Sequence, residues 1–148
     1  MLRVQKYEYS SDTEKLHRYS GKIKRYMSLA GRVAQQSCND IRHGAVLVSG
    51  NSVVNVSANK NSFCSFGSRF RKESIQPGCA TVHAELGAIL GIDRSKTHNA
   101  DIYVARIDKQ GDYKMSKPCP MCEAALRHVG IRRVIFTINN KKAGSYRL

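Results

Sequence analysis

The stretch Pro118-Cys119-Pro120-Met121-Cys122, continuing as Glu123-Ala124-Ala125-Leu126-Arg127-His128-Val129 before Gly130, reads as the start and body of a helix. Proline is tolerated in a first helical turn because its missing N–H has no helical partner there. Gly130 stands where a helix stop is expected. Cys119 and Cys122, three residues apart at the start of this helix, point to the same side and can grip one ion. A helix start and a bound Zn²⁺ both favour thiolates over thiols. By itself such a pair also suits a redox couple or two small buried residues.

Working outward, His83-Ala84-Glu85 opens a second helix whose apolar positions Val82, Leu86 and Ile89 share one face. One histidine and two cysteines make three ligands, and a catalytic zinc site uses three protein ligands and leaves a fourth position for water. Glu85, two residues from His83, is the natural proton shuttle for that water. Taken singly, a histidine at a helix start is more often structural, and a glutamate in a first turn usually complements the helix dipole.

The remaining elements surround these two helices. From Ser20, a favourable N-cap, the positions Ile23, Tyr26, Met27, Ala30, Val33 and Ala34 recur at helical spacing and predict a helix ending near Ser37. Ala45–Val48 and Val53–Val56 flank Ser49-Gly50-Asn51-Ser52, which predicts an antiparallel hairpin. A long polar loop with aromatic residues is expected from Asn59 to about Ala80. Strands are expected over Ile102–Ile107 and Val134–Ile138, with a last short strand near Ser145–Leu148. Alternation of helices and strands predicts a three-layer α/β/α sandwich with a mixed sheet of about five strands. Residues 1–19 lack periodicity and are expected to form an irregular arm ahead of one domain over 20–148.

Composition sets the class. Hydrophobic residues at 41% and charged residues at 24% are ordinary for a globular chain of 148 residues with one core. No run of about 18 apolar residues is present, so a transmembrane helix is not expected. Met1–Ser20 has no apolar block and does not read as a secretory signal, so the expected location is cytoplasmic or another reducing compartment. Five cysteines in that setting read as thiols or metal ligands. Net charge is +14, from 25 Lys and Arg against 11 Asp and Glu, with six basic and no acidic residues between Arg127 and Leu148. Such a field attracts phosphorylated molecules and polyanions, or serves only as a solvated surface.

The pattern His-x-Glu followed by Pro-Cys-x-x-Cys is the signature of zinc nucleobase deaminases, and the chain resembles the cytidine deaminase-like superfamily over roughly Ser20–Ile138. That resemblance implies one Zn²⁺ per chain held by His83, Cys119 and Cys122, with Glu85 as the acid–base residue. It implies hydrolysis of a ring amine with release of ammonia, with the Ala84 and Cys119 backbone N–H groups orienting the base. Val54-Asn55-Val56-Ser57-Ala58-Asn59 is similar to the strand ending in a sugar-contacting Asn, although Ser57 stands where glycine is common. A homo-oligomer is compatible with the resemblance.

The substrate is read less directly. Phe63, Phe66, Arg69, Phe70, Arg71 and Lys72 interleave aromatic and basic side chains, which suits stacking on a base and holding a phosphate, or equally a loop pinned to the core by its phenylalanines. The Pro-Cys-Pro-Met-Cys form resembles tRNA adenosine and guanine deaminases, whereas an antiparallel last strand would resemble free-nucleoside cytidine deaminases. The expected function is deamination of a cytosine-type base to uracil on a phosphorylated substrate, either a nucleotide or a single-stranded nucleic acid. The alternatives are an adenine or guanine deaminase, including tRNA adenosine editing, and a nucleic-acid-binding module with structural zinc. Cys38, Cys64 and Cys79, with His43, are weighed as a second metal site against ordinary buried thiols, and the thiols are preferred.

Overall fold

The computed structural model describes residues 14–70 and 81–148; positions 1–13 and 71–80, and with them Arg71, Lys72 and Cys79, lie outside the described residues. The elements run β1 (Lys15–Arg18), α1 (Gly21–Ala34), β2 (Arg42–Ser49), β3 (Ser52–Ala58), β4 (Lys60–Phe63), α2 (Ser65–Ser68), β5 (Thr81–Val82), α3 (Ala84–Ile89), α4 (Arg94–Thr97), β6 (Asp101–Ile107), β7 (Tyr113–Lys114), α5 (Pro120–His128), β8 (Arg133–Thr137) and β9 (Lys142–Arg147). Among the described residues, no helix is long and apolar enough to cross a membrane.

The main sheet is mixed and has seven strands in the order β1-β9-β8-β6-β2-β3, with β7 paired to β6. Among the described residues only β6 and β8 pair in parallel; β8 and β9 form an antiparallel hairpin, which fixes the direction of the last strand. The expectation of about five strands is corrected by two short ones. Strand β7 is two residues long and too short to carry an alternating pattern. Strand β1 lies inside the segment expected to be irregular, and Lys15–Arg18 is extended because its backbone pairs with β9 from Lys15↔Ser145 to Arg18↔Lys142. Its sequence, Lys-Leu-His-Arg, offers no apolar face that would announce a strand. The loop expected from Asn59 to about Ala80 contains β4 and the single turn α2, and β4 pairs in a separate two-stranded sheet with β5, which takes up Val82, a residue expected on the second helix.

Two cores sandwich the sheet. On one face α1 buries Tyr26, Met27 and Ala30 against Val46, Val48, Tyr103, Ala105 and Ile135. Helix α1 approaches β2 closely at Gly44, where a Cβ would stand 2.2 Å from the Ala30 carbonyl oxygen and 2.6 Å from the Ala34 nitrogen. On the other face α3 and α5 place Leu86, Ile89, Met121, Ala125 and Leu126 against Leu47, Ile102, Val104 and Phe136. Each fully buried large apolar side chain contributes about 1.5–3 kcal/mol relative to exposure. The alternation along β2 therefore separates its two faces: Val46 and Val48 toward α1, Ala45 and Leu47 toward α3. In the β2–β3 turn Gly50 takes φ +66°, as a tight hairpin requires.

Candidate active site

His83 and Cys119 occupy equivalent places. Each is the extended residue at the N-cap of its helix, His83 before α3 and Cys119 before α5. Their carbonyls accept the first helical hydrogen bonds, from Gly87 N at 3.0 Å and Glu123 N at 2.9 Å, and neither side chain caps its own helix. Both side chains are thus left to turn toward a common point. Cys122, in the first turn of α5, joins them. His83 Nδ1 lies 3.2 Å from Cys122 Sγ and 3.7 Å from Cys119 Sγ.

The ligand atoms of these three residues fall within 4.8 Å of one another, the one such group among the described residues. One imidazole nitrogen and two sulfurs are the donor set of a catalytic zinc centre, and they fit one Zn²⁺ per chain. The hydrogen bond from the Cys122 thiol holds Cys119 down to about 4, with His83 adding to the effect, and the same bond together with burial pushes Cys122 up. Both directions describe one S–H···S⁻ bond, and the pair is poised to deprotonate fully on a cation.

Glu85 follows one residue into α3 and is 4% exposed. Burial, reinforced by the Cys119 thiolate, raises its carboxyl to about 7. His83, Ala84, Glu85 and Cys119 line one end of a cavity of about 250 Å³. Asn39, Ile41, His43, Asn59 and Lys60 line its other walls, with Val82 and Lys117 between.

The sequence-predicted residues divide by position. His83, Ala84, Glu85, Cys119 and Asn59 share the cavity wall, and Cys122 stands behind it, fully buried. The Asn59 side chain is occupied by backbone: its Oδ1 accepts from His43 N at 2.9 Å and its Nδ2 donates to Ile41 O at 2.8 Å. Phe66, Arg69 and Phe70 do not line the cavity. Phe66 and Phe70 pack edge to face and against the core, Phe70 reaches His128, and Arg69 is exposed. Cys38 is exposed and Cys64 is buried with its Sγ accepting from Gly67 N, so neither joins His43 around an ion; Cys79 lies outside the described residues.

His43, Lys60 and Lys117 are wall residues that sequence reading left unassigned as substrate contacts. The signal for His43 was present in the period of β2, which puts it on the same face as Ala45 and Leu47. Burial, followed by the nearby Arg106, lowers its imidazole to about 4, so it is neutral. Lys117 is paired with Glu14, and its ammonium lies 5.3 Å from the Tyr146 ring centroid and 5.9 Å from that of Phe136.

No curated protein matches the chain in sequence. Among solved structures it is similar to the apo dCMP deaminase of cyanophage S-TIM5, at 19% identity and a TM-score of 0.51, covering 78% of this chain and 81% of that one. It is also similar to RibD of Acinetobacter baumannii, at 16% identity and a TM-score of 0.48, covering 78% of this chain but 27% of that one. A point mutant of the Mycobacterium tuberculosis cytidine deaminase gives 16% identity and a TM-score of 0.49, covering 82% of this chain and 92% of that one. The family model for the cytidine and deoxycytidylate deaminase zinc-binding region matches residues 20–138. That span holds His83, Glu85, Cys119 and Cys122 together, and the chain belongs to the cytidine and deoxycytidylate deaminase family.

Proposed function

We propose that residues 20–148 form a catalytic unit that converts a cytosine-type base to uracil on a phosphorylated substrate. The observation that carries this reading is the buried Glu85 carboxyl in the wall of the same cavity that His83 and Cys119 line. When bound, a zinc ion supplies a water acidic enough to be deprotonated near neutral pH. The rest falls to the chain. Glu85 takes a proton from the attacking water, delivers it to the ring nitrogen, and assists departure of the amine as ammonia. The C4–O bond forms as the ring nitrogen takes the first proton, and the C4–N bond breaks afterwards as Glu85 carries the remaining hydroxyl proton to the amine, with no change of oxidation state. One carboxyl can serve both directions of transfer when it is held beside the reacting atoms. The Ala84 and Cys119 backbone N–H groups orient the base, and Asn59 meets the sugar.

The antiparallel β8–β9 hairpin supports a cytosine base over an adenine or guanine, because that strand direction goes with the resemblance to free-nucleoside cytidine deaminases, and it does not bear on the phosphate. A buried carboxyl beside three convergent ligands supports catalysis over a purely structural zinc. Lys60, on the wall and in no ion pair among the described residues, supports a phosphate on the substrate. Phe66, Arg69 and Phe70 would then touch only a substrate long enough to extend beyond the cavity over α2.

Ammonia release by the zinc-loaded chain, measured on cytosine, adenine and guanine nucleosides, their 5′-monophosphates and single-stranded oligomers, tests the proposal. Turnover confined to cytosine with preference for phosphorylated forms is expected. Turnover confined to purines, or none at all with zinc bound, overturns it.

A further inference from the structure

Outside the cavity, the described residues include a group of cations that meet no acid among them. No acidic residue lies between Glu14 and Asp40, a span that holds Arg18, Lys22, Lys24, Arg25 and Arg32, all exposed. Elsewhere some cations are paired, Arg132 and Arg133 with Asp101, Arg127 with Glu123 and Lys114 with Asp108, while others such as Lys60 and Lys141 are in no ion pair among the described residues.

Two of the placements work against the fold. Lys22, Lys24 and Arg25 crowd the beginning of α1, whose first turn holds no acid, although the positive end of a helix dipole disfavours cations there. Arg18 stands directly opposite Lys142 across the β1–β9 ladder, and like charges at facing positions destabilise a sheet. Local choices that oppose stability without structural compensation are where function is to be sought.

Between these cations lies a fixed aromatic pair. The Tyr19 and Tyr113 rings are half-buried, with centroids 5.3 Å apart at 40°. The Tyr19 hydroxyl is held on the β8–β9 turn, 2.8 Å from Asn139 O and 2.9 Å from Lys142 O. The Tyr113 ring lies against α1, where a Cβ on Gly31 would stand 3.2 Å from it, and Arg32 is the next residue. Arg18, Lys142, the two tyrosines and Arg32 therefore form one strip joined by contact or chain adjacency, which Lys22 enters four residues after Arg18. The strip lies on the α1 side of the sheet, and its link to the active-site segment runs through the backbone: Thr137, the register partner of Ala143, accepts at its carbonyl from Ser116 N at 2.9 Å, three residues before Cys119.

We propose that this strip binds the backbone of a single-stranded nucleic acid. Cations along the strip meet phosphates, and aromatic rings fixed among them offer bases a stacking surface without reading sequence. Presentation of a cytosine to the cavity rests on the deaminase reading above, whereas strand binding itself does not.

The test uses the full zinc-loaded chain and a fluorescein-labelled thymine 12-mer, which has no ring amine to hydrolyse, with anisotropy followed from about 50 to 200 mM salt. Binding should weaken linearly in log–log terms, by about 0.7 per phosphate neutralised. The double reversals Arg18→Glu with Lys142→Glu, and Lys22→Glu with Arg32→Glu, should each lower low-salt affinity at least about tenfold and flatten the slope by roughly 1.4, the share of two phosphates. Mononucleotide turnover should stay within about twofold of the parent, because none of the four lines the cavity. Arg18→Lys with Lys142→Arg should keep binding. If a double variant misfolds by circular dichroism, the single reversals Arg18→Glu and Lys22→Glu give the same reading at half the effect. Affinity and slope unchanged in the reversals overturn the proposal, as does stronger binding to phosphatidylserine vesicles than to the 12-mer. Absence of cytosine turnover in the parent chain would remove the deaminase reading and leave strand binding standing.

Discussion

Cys122 Sγ lies 3.2 Å from His83 Nδ1 although the two residues are 39 positions apart. The relationship exists because α3 and α5 begin at neighbouring points on one face of the sheet. Purified chain should carry one zinc, and Cys122→Ala should lose it, since two ligands seldom retain the ion. Bound metal adds its binding free energy to folding, so the variant should also lose the rise in unfolding temperature that zinc gives the parent. Metal analysis with thermal unfolding, with and without chelator, checks both; a full complement of zinc in the variant refutes the ligand set.

Glu85 separates binding from chemistry. Glu85→Gln keeps the shape of the side chain and all three ligands, so zinc content should match the parent while turnover falls by about 10²–10⁴, the usual share of general acid–base catalysis. Stability should hold or rise, because a neutral amide replaces a carboxyl whose burial disfavours its charge. Turnover near the parent rate would deny Glu85 the proton transfer.

Gly44 tests the packing under the site. A methyl there meets the backbone of Ala30 and Ala34, which no rotamer change can relieve. Gly44→Ala should cost about 1–3 kcal/mol as an overpacked core substitution. For a chain of this size each kcal/mol is worth roughly 2–4 °C in Tm. An unchanged urea midpoint would mean that α1 can move off β2.

Asn59 closes the start of β2 with two hydrogen bonds to backbone. Asn59→Ala should cost about 1 kcal/mol, because the His43 N–H is part-buried while water can replace the exposed bond to the Ile41 carbonyl. If Asn59 also meets the sugar, KM should rise more than kcat falls. A loss of stability with KM unchanged would confine Asn59 to holding the strand.

Sequence alone singled out the three candidate ligands, because three donor side chains at helix starts, with a carboxylate two residues from one of them, have few other uses, and the structure brings their donor atoms within 4.8 Å of one another. Sequence also determined α1, the β2–β3 hairpin, β6, α5 and β8, whose apolar periods are long enough to read and whose turns carry their own glycines. Tertiary structure decided the rest. Strand β1 exists because β9 offers it an edge, β7 because β6 does, and the direction of β9 follows from its hairpin with β8. The same holds for the cavity wall. His43 and Lys60 come from different strands and meet only once the sheet is assembled, while Phe66 and Phe70, equally plausible in sequence, are drawn to the core. Ligand identity is a property of single residues and survives in one dimension; a shared wall is a property of distances between residues far apart in the chain, and only the packed sheet sets those.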